Sequence, residues 1–204
     1  MPIPVTEAPY RPVPLDPPRK HWTRAECAAL EASGLLTPQD LELVEGELIT
    51  RMGKKRPHVN GVTFVMAWLV RIFGQEFVNT EAPIDVTPED NPTNEPAPDI
   101  IVLTRPSWEF ANANPQPSDL HLLVEISDTT LGFDLTTKAA LYARARIAEY
   151  WVLDLAARRL VVHRDPQAGR YATIAAYSES ESVAPLAAPQ SAFHVADAFP
   201  PSTS

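Results

Sequence analysis

The sequence predicts an α/β (α+β) fold in which a central mixed β-sheet is flanked by helices. Three observations predict it. The periodic segments follow the order helix, hairpin, helix, several strands, helix, strands, which sets helices against a sheet. The runs DIIVL (99–103) and HLLVEIS (121–127) are apolar without alternation, as in strands buried on both faces. Finally, 204 residues with 45% hydrophobic content suffice for one sizeable core. A single domain over 21–177 is therefore expected, between a proline-rich arm (1–20) and a proline-containing tail (178–204).

Each element has a local reason. Seven of the 22 prolines fall within residues 1–18, so this arm is expected to be extended; the tail reads similarly. Thr23 followed by Glu26 fits a capping box that opens a helix running to about Ala32 and ending near Gly34. LELVEGELIT (41–50) reads as a hairpin turning at Glu45-Gly46. Residues 59–73 are apolar at helical spacing and stop at Gly74. Two strands are expected at 76–81 and 83–87, followed by a polar, proline-rich loop over 88–98. After the two buried strands, a helix is expected over 135–148 with Asp134 as its N-cap. YWVLDL and RLVVHR then form a hairpin across Ala156-Ala157, and RYATIAAY adds a strand.

Composition narrows the function. The net charge is −9, from 17 Lys+Arg against 26 Asp+Glu. That balance argues against a chain held on nucleic acid by bulk charge, while leaving room for a local basic cleft. The nearest candidate is RMGKKRPH, with Arg51, Lys54, Lys55 and Arg56, whose plain reading is a solvated loop. No run approaches the roughly 18–20 apolar residues of a membrane span, and the N-terminus lacks the pattern of a signal peptide. The lone Cys27 excludes a disulfide framework and a cysteine-rich zinc site. A soluble cytoplasmic protein is the expectation.

One residue stands out. Glu125 interrupts a strand buried on both faces, where a carboxylate is costly unless something compensates it. Asp99 opens the other buried strand, and Lys138 follows Glu125 on the next helix, sharing a face with Asp134 and Tyr142. If the two strands are neighbours, both carboxylates reach one spot, the oxygen-rich arrangement that Mg²⁺ favours. A lysine beside them can orient water or offset charge. Plainer readings of the same residues exist. Asp99 can satisfy loop amides, Glu125 can form a structural ion pair with an arginine, and Lys138 can be a surface partner of Asp134.

The segments ELVEGELI, His58 at the head of a helix, PDIIVL, and VEIS followed by DTT, D, K, Y and EYWVLD resemble a known bacterial family. It is the family of Uma-type "putative restriction endonucleases", a branch of the PD-(D/E)XK nuclease superfamily. The resemblance spans roughly residues 22–165 and is most specific over 121–154. It implies a restriction-endonuclease-like core with a mixed four-stranded sheet, and Mg²⁺-dependent cleavage of phosphodiester bonds, Mn²⁺ being an alternative ion. Asp99 and Glu125 would be the metal ligands, helped by the backbone carbonyl of Ile126. The superfamily pattern has lysine two residues after the second acid, where this chain has Ser127; Lys138 would supply it from the following helix. Glu42 would be the acid of the N-terminal element, and His58 would contact a phosphate or a metal-bound water. For these two the plain readings are an exposed hairpin acid and a helix-start residue. Tyr150 and Trp151 read as core or dimer surface.

The function expected is a Mg²⁺-dependent endonuclease acting on DNA, with Asp99, Glu125, Lys138, Glu42 and His58 as site residues. The alternative is a catalytically inactive binding or assembly module that keeps the nuclease fold. A homodimer is compatible with cutting both strands of a duplex, and no residue pattern fixes it.

Overall fold

The structure, a computed structural model, describes residues 19–37, 41–50 and 55–200. The arm over 1–18, and Arg51 and Lys54 of the basic cluster, lie outside the described residues. Lys55 and Arg56 are exposed at the start of the second helix.

Helix α1 (Arg24–Ala32) opens on the expected capping box, with Thr23 and Glu26 each accepting from the other's backbone N–H. Strands β1 (Leu41–Val44) and β2 (Glu47–Thr50) form the hairpin around Glu45 and Gly46, both at positive φ. Helix α2 (Arg56–Phe73) ends at Gly74, whose φ of 97° favours glycine. The main sheet contains β3 (Val78–Thr80), β4 (Ile100–Leu103), β5 (Leu120–Ser127), β6 (Glu149–Asp154), β7 (Arg159–Gln167) and β8 (Arg170–Ser178), side by side in that order. All neighbours are antiparallel except β5 and β6. That parallel pair needs a crossover. The crossover is a continuous helical run: α3 (Leu131–Phe133), a π-helical turn (Asp134–Lys138) and α4 (Ala139–Arg144).

The central sheet is mixed and flanked by helices, as the sequence predicts. It has six strands, not the four implied by family resemblance, because β3 and β8 extend the two edges. One face packs Val65, Trp68 and Leu69 of α2 against Val124, Ile126, Trp151 and Leu153. The other packs Leu141 and Tyr142 of α4 against Ile101, Leu123, Tyr150 and Val152. Both faces of β5 are therefore covered, which explains its unbroken apolar run. At Gly61 an added Cβ would lie 2.8 Å from Ile126 Cγ2, so a side chain there would push α2 away from β5.

Three local expectations are corrected. Residues 83–87 form no strand. The amides of Ile84 and Asp85 donate to the carbonyls of Pro96 and Pro115, and that of Val86 donates to the Asn91 side chain. The segment is buried at Ile84 and Val86, yet its hydrogen bonds go to loops rather than to a ladder. Asp134 is no N-cap: the helical run starts earlier, with Thr130 at the N-cap position. Within the segment read as a tail, β9 (Ser182–Val183) pairs with β10 (Phe193–His194), and Phe193, Val195, Ala198 and Phe199 pack onto the α2 face. The apolar residues between the prolines find the core.

Candidate active site

Strand pairing brings the two acids together. Ile100 of β4 lies opposite Val124 of β5. One step further along this antiparallel register, Asp99 faces Glu125. The Ile126 amide donates to Asp99 Oδ2 at 2.8 Å, and the Asp99 amide lies 3.4 Å from Glu125 Oε2. Neither acid is held by side-chain chance: each is tied to the other's strand.

The remaining candidates converge from three further elements. Lys138, at the end of the π turn, places Nζ 2.8 Å from Glu125 Oε1 and 2.9 Å from Glu42 Oε1. Glu42 belongs to β1 and also accepts from the Ala97 amide at 3.3 Å. It is buried, not an exposed hairpin acid. His58, in the first turn of α2, sets Nε2 3.2 Å from Asp99 Oδ2, while its buried Nδ1 has no hydrogen-bond partner among the described residues. The structure thus gathers all five residues singled out in the sequence. The plain reading of Lys138 as a surface lysine does not hold, since its side chain is 5% exposed.

Two further residues belong here: Tyr142, to which the sequence assigned no role, and Asp134, which it read as an N-cap. Tyr142, one turn beyond Lys138, donates its hydroxyl to Glu125 Oε1 at 3.3 Å. Asp134 is buried, accepts from the Thr130 hydroxyl at 2.6 Å, and lines the same cavity. Their i, i+4 spacing around Lys138 is the signal in the sequence that marks them.

Glu42, His58, Asp99, Glu125, Asp134 and Lys138 line a cavity of about 110 Å³. Glu81, Asp128 and Lys55 also line it; Lys55 lies 3.8 Å from Asp128. Acidic groups outnumber cationic ones, so the cavity favours a cation. The electrostatics follow. Burial pushes the Glu125 carboxyl well above the usual range; the Lys138 ammonium opposes this, but Asp99, Asp134 and Glu42 add to it. Burial alone would lower Lys138, but Glu125, Glu42 and Asp134 outweigh it and hold the ammonium charged. Asp134 is likewise raised by burial, against the pull of Lys138 and Thr130. One ammonium does not balance this many buried carboxyls, and a bound cation would relieve the excess.

The donor set fits a hard divalent ion. Among the described residues no three His, Cys, Asp or Glu side chains form a group that could hold a metal. Two carboxylates with water completing the shell is a common way to hold Mg²⁺, which keeps several waters. Asp99 and Glu125 supply such a pair.

A family model described as "Putative restriction endonuclease", Uma2, matches residues 26–196. The chain belongs to the Uma2 family. Its fold is similar to that of a crystal structure titled "a putative nuclease belonging to DUF820" from Anabaena variabilis. The TM-score is 0.60 at 17% identity, over 83% of this chain and 95% of that one. No curated protein matches. In this Uma2 chain Ser127 stands where the wider nuclease pattern has lysine, and the structure delivers the ammonium of Lys138 to the second acid from the following helix. The family match runs to residue 196 and so includes Phe193 and Val195 of the C-terminal segment that packs on α2. Among the described residues no helix is long and apolar enough to cross a membrane.

Proposed function

We propose that this Uma2 protein is an Mg²⁺-dependent endonuclease hydrolysing phosphodiester bonds of DNA, with Mn²⁺ able to replace Mg²⁺. The observation that carries this reading is the pairing of Asp99 and Glu125 across β4 and β5 in the lining of one cavity, with the Lys138 ammonium 2.8 Å from Glu125. Asp99 and Glu125 would hold the ion. When bound, such an ion lowers the pKa of water and offsets charge on the phosphate.

The chain's own residues have separate tasks. Lys138 keeps a fixed positive charge beside Glu125, where negative charge develops on a phosphate. Glu42 anchors the second side of that ammonium, so the lysine cannot swing out. His58 holds Asp99 Oδ2 from the α2 side and lines the cavity. The β5 backbone fixes the spacing of both acids, since the Ile126 amide occupies one lone pair of Asp99. With a net charge of −9, the chain would have to hold DNA by local contacts rather than by bulk charge.

One observation favours the second reading, a nuclease-fold binding or assembly module without catalysis. Lys138 is already shared between Glu42 and Glu125, so the site partly neutralises itself. The deciding experiment is calorimetric titration of Mg²⁺ and Mn²⁺ into the intact protein, Asp99→Ala and Glu125→Ala, followed by cleavage assays on duplex and single-stranded DNA. Binding lost in both variants, with ion-dependent cleavage in the intact protein only, is expected. Ion binding without cleavage of either DNA supports the module. No binding by the intact protein overturns the metal site.

A further inference from the structure

We propose that Tyr142 is a positioning residue of this cation site: its hydroxyl fixes the Glu125 carboxylate so that Oε2, rather than Oε1, faces Asp99. The inference rests on the cation-site reading above and adds a residue to it.

A glutamate carboxylate turns about a broad, roughly two-fold terminal torsion, so the two oxygens are interchangeable unless neighbours distinguish them. Here they are distinguished. The Lys138 ammonium and the Tyr142 hydroxyl both donate to Oε1, at 2.8 Å and 3.3 Å. Oε2 is left on the side of Asp99, 3.4 Å from the Asp99 amide. Lys138 alone would not suffice, because it also serves Glu42 and its ammonium can rotate its three donors. A phenol has one O–H on a rigid ring, and this ring is enclosed by its neighbours. Tyr142 is wholly buried and meets Tyr150 edge-on, with ring centroids 5.0 Å apart. Tyr150 is itself pinned, its hydroxyl donating to the Asp134 carbonyl at 3.1 Å within the π turn. A rigid donor on a rigid partner sets the direction of a ligand, as outer partners of metal ligands do elsewhere.

The test is Tyr142→Phe, which keeps the ring and its packing and removes only the donor. Tyr171→Phe is the control, since it removes a buried hydroxyl that bonds the Ile147 carbonyl at 2.9 Å and touches neither Glu125 nor the π turn. Mn²⁺ affinity by calorimetry and the line shape of bound Mn²⁺ by electron paramagnetic resonance are read on the intact protein and both variants. Asp99→Ala serves as the site reference. Tyr142→Phe is expected to weaken Mn²⁺ binding by about 10–100-fold and to alter the spectrum, while Tyr171→Phe does neither. Binding and spectrum unchanged in Tyr142→Phe, while Asp99→Ala loses the ion, overturns this inference alone. Equal weakening in both tyrosine variants also overturns it, because core loosening then accounts for the loss. No binding by the intact protein overturns both this inference and the cation site.

Discussion

The ammonium of Lys138 lies 2.8 Å from Oε1 of Glu125, thirteen residues earlier in the chain, and neither side chain is more than 6% exposed. The β5–β6 crossover carries Lys138 back onto the strand that holds Glu125. Removing the lysine leaves Glu125 and Glu42 buried without their shared cation. Lys138→Met is therefore expected to cost about 3–5 kcal/mol of stability in urea denaturation at neutral pH. Adding Glu125→Gln to Lys138→Met should recover part of that loss, because the uncompensated charge disappears. A single-variant loss below about 1 kcal/mol would mean that water reaches the pair and screens it.

His58 touches the same site from the opposite helix, with Nε2 on Asp99 Oδ2. His58→Ala is expected to lower divalent-ion affinity or cleavage by about 10–100-fold. Its effect on stability should be smaller than that of Lys138→Met, since His58 sits at a helix start and is 14% exposed rather than enclosed. Ion titration and thermal denaturation on the same preparation check both halves. Unchanged affinity would leave His58 as a helix-start residue only.

His163 sets an acid limit on stability. It is buried on β7 between Tyr150 and Tyr171, with ring centroids 5.3 Å and 5.5 Å away. Burial pushes its pKa below the ordinary 6.5, against a smaller opposing effect from its backbone hydrogen bond to Tyr150. The folded value thus lies below the unfolded one. As pH falls below about 6.5, the unfolded chain takes up a proton that the folded chain refuses, and stability falls. Above that value the penalty is absent. Urea midpoints measured against pH should decline on the acid side, and His163→Phe should flatten that decline. An unaltered slope in the variant would assign the acid limb to other groups.

Phe193 tests whether the C-terminal segment belongs to the core. Its ring lies 4.8 Å from that of Trp68 and 6.3 Å from that of Trp151. Phe193→Ala is expected to destabilise the protein by about 3–5 kcal/mol. A loss below 1 kcal/mol on the same scale would show that the segment lies on the domain without supporting it.

Much of this architecture is written locally. The Thr23–Glu26 cap, the Glu45-Gly46 turn, the helix ending at Gly74 and the β6–β7 hairpin each depend on residues a few positions apart, and the chain follows them. The unbroken apolar run around Glu125 also announces a strand with two covered faces and an acid that needs a partner. From the sequence, then, come the fold class, the candidate acids and the lysine at helical spacing.

Tertiary structure decided the rest, because it depends on which distant segments meet. Asp99 faces Glu125 only through the β4–β5 register, and Glu42 joins them only because the N-terminal hairpin packs beside the cavity. Asp134 looks like an N-cap from its neighbours, yet the helix begins at Thr130 and a π turn carries Asp134 inward; local capping signals cannot register that. Residues 83–87 have a strand's residues without a strand's partners, so loop carbonyls take their amides. Prolines made the C-terminal segment read as a tail, whereas Phe193, Val195 and Phe199 bury their apolar surface on α2 and the sheet. Burial against a remote surface is a property of the whole chain, and spacing along the sequence does not encode it.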